Sequence, residues 1–456
     1  MANTSIYRDI SSTSTPTKLT CSFWVKRTNL GTTQRIFSQS NDSNDRMYWR
    51  FEAGSPVDRF TAWNETGGSV FSSITTNHQF RDCNGWYHIV LRWDTTQSTS
   101  TDRLRMYING TNVDDYGGYA GYTAPAQNAT FGSFSSTSCK FDIGYYRDAS
   151  NEHFDGYLTH IHVCDGYSYA PTEFGNLDST TGSWSINPSP NVSYGTNGFW
   201  LFKDNNALTD ASAGSNNFTS VGGNLTLSQD NPSNVFCLPN RNHRENTNLT
   251  FAGAGQRLEC ASGVNWLANA GTIGVKKGKW YWEVKNIGGG NFGAGVGKEA
   301  YGTSTHYFRT ANNWLYDQTT NYGFYRNGSN GYKGNSGTTP LYGSSIDHND
   351  ILMIAFNADD GKIYLGKNGT WFDSSNPATN TSPAYTFTMT GTTSVTDKYW
   401  FPIYEVEQNE IEVNHGNGIW EGSAIGSPNA DGQGLGKFQY TPPSGYLALC
   451  TKNLNV

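Results

Sequence analysis

Charge is scarce in this chain. Asp, Glu, Lys and Arg make up 15% of its 456 residues, against about a quarter in an average soluble domain. The net charge is −7 and the basic residues are scattered, so nothing offers a basic face to nucleic acid or to an anionic membrane. A soluble surface accounts for −7 in full. No apolar run is long enough to span a bilayer, so membrane insertion is not expected. The amino terminus, Met-Ala-Asn-Thr-Ser-Ile-Tyr-Arg-Asp, lacks the apolar stretch of a secretion signal. Seven cysteines, Cys21, Cys83, Cys139, Cys164, Cys237, Cys260 and Cys450, are odd in number and widely spaced. Without a Cys-x-x-Cys pair there is no zinc or dithiol motif, and buried thiols made in a reducing cytosol are expected. Glycosylation sequons at Asn64, Asn109, Asn191, Asn248 and Asn368 are what a chain rich in Asn, Ser and Thr produces by chance.

Helical periodicity is also missing, and alternation takes its place. Ile89, Leu91 and Trp93 alternate with Val90 and Arg92. After the polar stretch Asp94–Asp102, Leu104, Met106 and Ile108 alternate with Arg103, Arg105 and Tyr107. A period of two puts each apolar set on one face of a strand. Asn109-Gly110 closes this hairpin with the dipeptide that best tolerates positive φ. The same order recurs at Asp350–Phe356, a turn at Asn357–Gly361, Lys362–Leu365 and then Asn368-Gly369. Two halves built alike, in a chain too long for one core, predict an all-β protein of two β-sandwich domains.

Further strands are expected at Leu19–Lys26, Arg35–Ser38, Met47–Phe51, Tyr157–Val163, Trp280–Val284, Asn291–Val296 and Tyr399–Tyr404. Phe60–Trp63 and Val70–Ile74 give weaker signals. Asp114–Ser138, with tyrosines separated by glycine, reads as a loop. So does Tyr301–Gly337, crowded with rings and punctuated by Gly and Asn. The boundaries that follow are 1–175 for the first sandwich, 176–245 for an extended connector that packs through Trp200, and 246–456 for the second sandwich.

Ser22-Phe23-Trp24-Val25-Lys26-Arg27, Trp86-Tyr87-His88-Ile89-Val90, Met106-Tyr107-Ile108-Asn109-Gly110 and Phe154-Asp155-Gly156-Tyr157-Leu158 resemble a LamG-type, concanavalin A-like lectin domain. Gly278-Lys279-Trp280-Tyr281-Trp282-Glu283-Val284, Lys367-Asn368-Gly369 and Pro443-Ser444-Gly445-Tyr446 resemble a SPRY-type sandwich. Joined by Ser193–Phe199, and with Ala448–Leu454 at the end, their succession is similar to virion structural proteins of tailed bacteriophages. The resemblance implies a virion protein assembled in the host cytoplasm and exposed on the particle. Its partners would be other virion proteins and host surface polysaccharide. A homo-oligomer is compatible with it, although no coiled-coil heptads impose one.

Candidate chemistry is sparse. Glu405 and Glu407 share a strand face, as do Glu410 and Glu412, and all four align only across a bulge. Paired carboxylates of that kind serve glycan hydrolysis, whereas an acid-rich exposed face is the plainer reading. His160, His162 and Cys164 alternate on one face without an identifiable third ligand, so packing outweighs a metal site. Asp114, Asp115, Asp148 and Asp155 leave room for a structural calcium ion, but no spaced acidic loop calls for one. No other cofactor and no catalytic residue is expected. The stronger signal is aromatic, because sugars stack their C–H faces on exposed rings. Tyr116, Tyr119 and Tyr122 in one loop, with Trp314, Tyr316, Tyr322 and Tyr325 in the other, are the candidate sugar-stacking residues. The alternative is that these rings are buried against the connector or a neighbouring subunit. The leading expectation is a non-enzymatic virion surface protein, an adhesin or fibre-type component binding host glycan. A purely structural capsid-decoration or tail-joining protein is the alternative, and a glycan hydrolase stands third.

Overall fold

The computed structural model describes residues 4–40, 45–145, 152–179, 182–223, 225–243, 247–298, 320–389 and 399–455. The described residues hold strands and short 3-10 turns with no α-helix, so no helix among them is long and apolar enough to cross a membrane. The chain divides into two compact units, Met1–Leu227 and Ser228–Val456.

In the first unit the strands are β1 (Ser5–Asp9), β2 (Lys18–Arg27), β3 (Gln34–Ser40), β4 (Arg46–Phe51), β5 (Arg59–Thr66), β6 (Ser69–Gln79), β7 (Tyr87–Asp94) and β8 (Leu104–Ile108). They continue as β9 (Thr111–Asn112), β10 (Tyr119–Thr123), β11 (Lys140–Ile143), β12 (Gly156–Asp165), β13 (Gly175–Leu177), β14 (Trp184–Ile186), β15 (Phe199–Leu201) and β16 (Thr219–Val221). One sheet of eight runs β10-β6-β5-β4-β3-β11-β1-β16, and one of six runs β15-β12-β2-β7-β8-β9. The apolar faces of the two sheets meet in a single core. Ile89, Leu91, Trp93, Leu104, Met106 and Ile108 all lie in it, as alternation requires. Trp49 from the larger sheet stacks on Trp93 from the smaller, with ring centroids 5.6 Å apart. Phe23 and Phe37 meet edge to face across the same seam at 5.0 Å. Asn109 and Gly110 both take positive φ, 48° and 79°, the backbone that a two-residue hairpin turn demands.

One expectation for the first unit differs from the structure. The expected loop Asp114–Ser138 contains β10, which completes the eight-stranded sheet by pairing with β6. Backbone hydrogen bonds hold an edge strand together even where glycine leaves its sequence without an apolar stripe. Residues 176–245, expected as a connector with arms packed on one or both domains, divide between the two units after Leu227. Phe199–Leu201 adds β15 to β12, and Thr219–Val221 adds β16 to β1, so short apolar pieces were covering sheet edges.

The second unit contains β17 (Leu249–Ala252), β18 (Arg257–Cys260), β19 (Leu267–Ala270), β20 (Lys279–Asn286), β21 (Asn291–Lys298), β22 (Asn321–Asn327), β23 (Asn330–Gly334) and β24 (Ile351–Asn357). After these come β25 (Lys362–Lys367), β26 (Thr370–Trp371), β27 (Tyr385–Thr386), β28 (Trp400–Glu407), β29 (Glu410–Asn414), β30 (Ile419–Trp420), β31 (Ser423–Ala424) and β32 (Leu447–Ala448). One sheet is built on the path β17-β18-β29-β20-β24-β25-β26, and a second runs β19-β28-β21-β22-β23. In β20, Trp280, Trp282 and Val284 face the core between the sheets, while Tyr281 packs with Phe438 and Tyr446 on the opposite face. A carboxylate, Glu283, sits fully buried beside Tyr281. It accepts from the backbone N–H groups of Gln439 (2.9 Å) and Tyr440 (2.7 Å), from Asn414 Nδ2 (3.2 Å) and from the Tyr281 hydroxyl (3.0 Å). One acid thereby clamps the carboxy-terminal segment to the sheet. Glu283→Ala strands those four donors, at an expected cost of about 3 kcal/mol. Hydrogen exchange would read the change as lost protection at the Gln439 and Tyr440 amides.

Candidate functional site

The outward face of the eight-stranded sheet is built by alternation in β4 and β5. Met47, Trp49 and Phe51 point into the core, so Arg46, Tyr48 and Arg50 point out. On β5, Phe60 and Ala62 are buried in the core, and Thr61, Trp63 and Glu65 take the outer face. Register then sets Tyr48 opposite Trp63, with Arg46 opposite Glu65 and Arg50 opposite Thr61. The two rings lie 6.1 Å apart and within 4° of parallel.

Arginines frame this pair. The guanidinium of Arg35, on β3, lies 4.3 Å from the Tyr48 ring centre, and that of Arg50 lies 4.9 Å away. Arg35 pairs with Glu152, and Arg46 pairs with Glu65. Arg50 Nε lies 2.9 Å from Glu52 Oε1, and its Nη1 lies 3.9 Å from Glu152 Oε1. Burial raises the Tyr48 phenol above its ordinary value, so it remains a neutral hydroxyl at physiological pH. On the far side of Trp63 the cross-strand neighbour is Ser73, and beyond that stands Thr123. Thr123 is exposed, whereas Ser73 is buried, 8% exposed. The result is a half-buried indole beside a floor of small hydroxyl residues, with charged hydrogen-bonding groups at both ends. That is the equipment for stacking and hydrogen-bonding a sugar ring.

The expected ring residues fall elsewhere. Tyr119 and Tyr122 lie on β10, with centroids 5.3 Å apart, and pack against the first core. The Tyr122 hydroxyl donates to the carbonyls of Leu104 (3.0 Å) and Ser100 (3.2 Å), stitching this sheet edge to β8. Tyr116 ends a 3-10 turn, Val113–Tyr116; its side chain lies outside the described residues. Tyr322 stacks on Phe387 at 4.0 Å against the second core. Tyr325, 4% exposed, packs beside Trp266 and Tyr332. Both lie on β22, a paired strand where a loop was expected. Trp314 and Tyr316 lie outside the described residues. Tyr119, Tyr122, Tyr322 and Tyr325 are thus held by packing. The shelf of Tyr48 and Trp63 was missed, although Arg-Met-Tyr-Trp-Arg-Phe alternates polar and apolar in plain view.

The glutamates do not converge. β28 and β29 belong to different sheets, because the turn at Gln408, with φ of 47°, hands the chain from one to the other. Glu405 is buried, and Glu407 accepts from Asn291 Nδ2 at 2.8 Å. Across the sandwich, Arg257 lies 3.7 Å from Glu410 and 3.8 Å from Glu412. The two pairs therefore stand on different sheets, and the four carboxylates do not share one face.

The histidines line the outer face of the six-stranded sheet. Trp184 Nε1 donates to His88 Nδ1 (2.8 Å), and His88 Nε2 lies 2.7 Å from Ser22 Oγ. An indole N–H only donates, so the proton on this neutral ring sits at Nε2 and faces the serine. His88 therefore cannot take the Ser22 proton, and the buried serine is no nucleophile. His162 Nδ1 bonds the Tyr194 hydroxyl at 2.9 Å. His160 sits in a β-bulge at positive φ, 47°, its ring 6.4 Å from that of His162. Cys164 is buried and free, its thiol pushed up by burial. Asp114 and Asp115 are exposed on the 3-10 turn, Asp155 Oδ1 accepts from Thr28 Oγ1 at 3.1 Å, and Asp148 lies outside the described residues. Among the described residues, no three His, Cys, Asp or Glu side chains are grouped to hold a metal ion.

Comparison with known proteins bears on the first unit. Residues 3–173 match the family model Laminin_G_3, of the concanavalin A-like lectin/glucanases superfamily. No curated protein matches the chain in sequence. Among solved structures, the chain is similar to the SPRY domain of human HERC1, at 16% identity and a TM-score of 0.27, covering 38% of this chain and 96% of that one. It is also similar to a heptameric SAP-like pentraxin from Limulus polyphemus, at 16% identity and TM-score 0.32, covering 48% and 86%. The TRIM65 PSpry domain aligns at 10% identity and TM-score 0.29, covering 39% and 87%.

Proposed function

We propose that this chain is a non-enzymatic, sugar-binding virion surface protein that takes host-cell glycan on the Tyr48–Trp63 shelf of its first unit. The family match of residues 3–173 to concanavalin A-like lectins supports a binding role. The parallel pair of Tyr48 and Trp63, opposite each other on an outward sheet face and flanked by Arg46, Arg50 and Glu65, carries the reading. The virion setting, with assembly in the host cytoplasm, rests on the resemblance of the joined lectin-like and SPRY-like halves to phage structural proteins. No resident cofactor enters the scheme, so binding is expected to survive EDTA, and loss on chelation would point to a calcium-dependent site instead.

The test is a glycan array probed with the full chain and with Trp63→Ala. Removing the indole deletes the stacking surface and is expected to weaken binding at least about tenfold. Tyr119→Phe, which lies off the shelf, should leave it unchanged. Retained binding in Trp63→Ala would move the site elsewhere. The second reading is a decoration or joining protein, with Leu177 and Leu341, 62% and 69% exposed, as the residues it would cover. That reading predicts no glycan binding and burial of both leucines in the assembled particle.

A further inference from the structure

We infer that the shelf selects uncharged sugars and turns acidic ones away, an inference that rests on the sugar-binding reading above. Three guanidinium groups, of Arg35, Arg46 and Arg50, approach the ring pair, and three carboxylates, of Glu152, Glu65 and Glu52, answer them. Among the described residues these charges balance at the ring pair. Its glutamates are partly buried, with Glu65 12%, Glu52 20% and Glu152 20% exposed, so bulk solvent only partly screens them.

A carboxylate or sulfate on a ligand would have to displace a glutamate from its arginine, or else lie against that glutamate. Either route leaves one anion without a partner on a half-buried surface. A sugar hydroxyl meets no such difficulty, since it donates to a carboxylate oxygen and accepts from a guanidinium N–H in the same geometry. The register places such mixed groups where they are useful. Arg46 and Glu65 lie two residues along the strands from the ring pair on one side, and Arg50 lies two residues away on the other. Two residues of strand span about 7 Å, so a pyranose resting on the Trp63 indole has donors and acceptors at both ends.

Surface plasmon resonance of the full chain against neutral polysaccharides (mannan, galactan, laminarin) and acidic ones (alginate, polygalacturonate, dextran sulfate) tests this. Binding is expected on neutral members only, with Kd changing less than about twofold between 50 and 500 mM NaCl because no ligand charge is there to screen. Glu65→Gln keeps a hydrogen-bond acceptor for Arg46 but removes one negative charge. That variant should acquire binding to acidic members that fades with salt. Salt-sensitive binding of the unaltered protein to an acidic member, abolished by Trp63→Ala, would overturn the charge inference and leave the shelf as the site. Binding that ignores Trp63→Ala, or absence of binding to any member, would overturn the sugar-binding reading and this inference with it.

Discussion

Asp58→Ala is expected to destabilise the first unit by about 4 kcal/mol, the scale on which a buried ion pair loses one partner. Arg27 and Asp58 have side chains 0% and 1% exposed, and Arg27 Nη1 lies 3.0 Å from Asp58 Oδ1. The same nitrogen donates to the Phe80 carbonyl at 2.7 Å, and the guanidinium lies over the Phe51 ring at 4.2 Å. Asp58 Oδ1 also accepts from the Gly31 N–H at 2.8 Å. Burial already pulls the Arg27 guanidinium below its ordinary pKa, and the charge of Asp58 opposes that pull. Without the carboxylate, a cation remains sealed among apolar rings with an orphaned backbone donor beside it. Asp58 also adopts positive φ, 65°, which Asp and Asn tolerate better than Ala. Asp58→Asn should therefore be milder. Calorimetry of the full chain should show the corresponding transition fall by roughly 10 °C, at about 2–4 °C per kcal/mol for a unit of this size. A shift of a degree or two would mean that Arg27 finds water or another anion.

Acid is expected to loosen the first unit well before the second. Burial holds His88 at about 3 and His160 at about 4, and keeps His162 well below its ordinary value. Around them pack Ser22, Trp24 and Trp184 at His88, and Phe174, Tyr194 and Trp200 at His162; Asp204 and Lys203 act on His160. Each folded-state pKa lies below the unfolded value near 6.5. The unfolded chain therefore binds more protons below pH 6.5, and stability falls as pH drops through that value. At pH 5, His88 alone should cost about 2 kcal/mol, at 1.36 kcal/mol per pKa unit, and His162 acts in the same direction.

In the second unit two groups oppose each other. His415, buried and held at about 3, carries the same sign. Glu283 is raised by burial to about 7, so its folded form binds the extra proton, and stability is gained as pH falls from 7 toward 4.5. The two contributions nearly cancel. Hydrogen exchange at pH 7.5 and 5, corrected for intrinsic rates and read separately over 4–227 and 228–455, should show opening confined to the first stretch. Equal loosening of both units would contradict the assignment of these protons.

The hairpin β7–β8 was legible because Ile89, Leu91, Trp93 and Leu104, Met106, Ile108 signal their face with no help from neighbours. The strand β10 was not, since Tyr119-Ala-Gly-Tyr-Thr has no apolar stripe and is defined by what it pairs with. Tyr119 and Tyr122 are candidate stacking rings in the sequence because glycine surrounds them, with burial the alternative. In the structure their rings turn inward from an edge strand, and the Tyr122 hydroxyl is tied to β8. The four glutamates would share a face only across a bulge within one sheet, and Glu405 and Glu412, seven residues apart in the chain, stand on different sheets. Three-residue strands such as Phe199–Leu201 looked like connector because so short a piece carries no period. The shelf was hidden for a related reason. Tyr48 and Trp63 each look like ordinary strand residues, and only the register of β4 against β5 brings them face to face.

The most direct measurement is a crystal structure of the full chain with a neutral oligosaccharide from its best-bound polysaccharide. A pyranose ring is expected flat against the Trp63 indole, its hydroxyls between Arg46, Glu65 and Arg50. Sugar density on another surface, with the Trp63 face bare, would contradict the central claim.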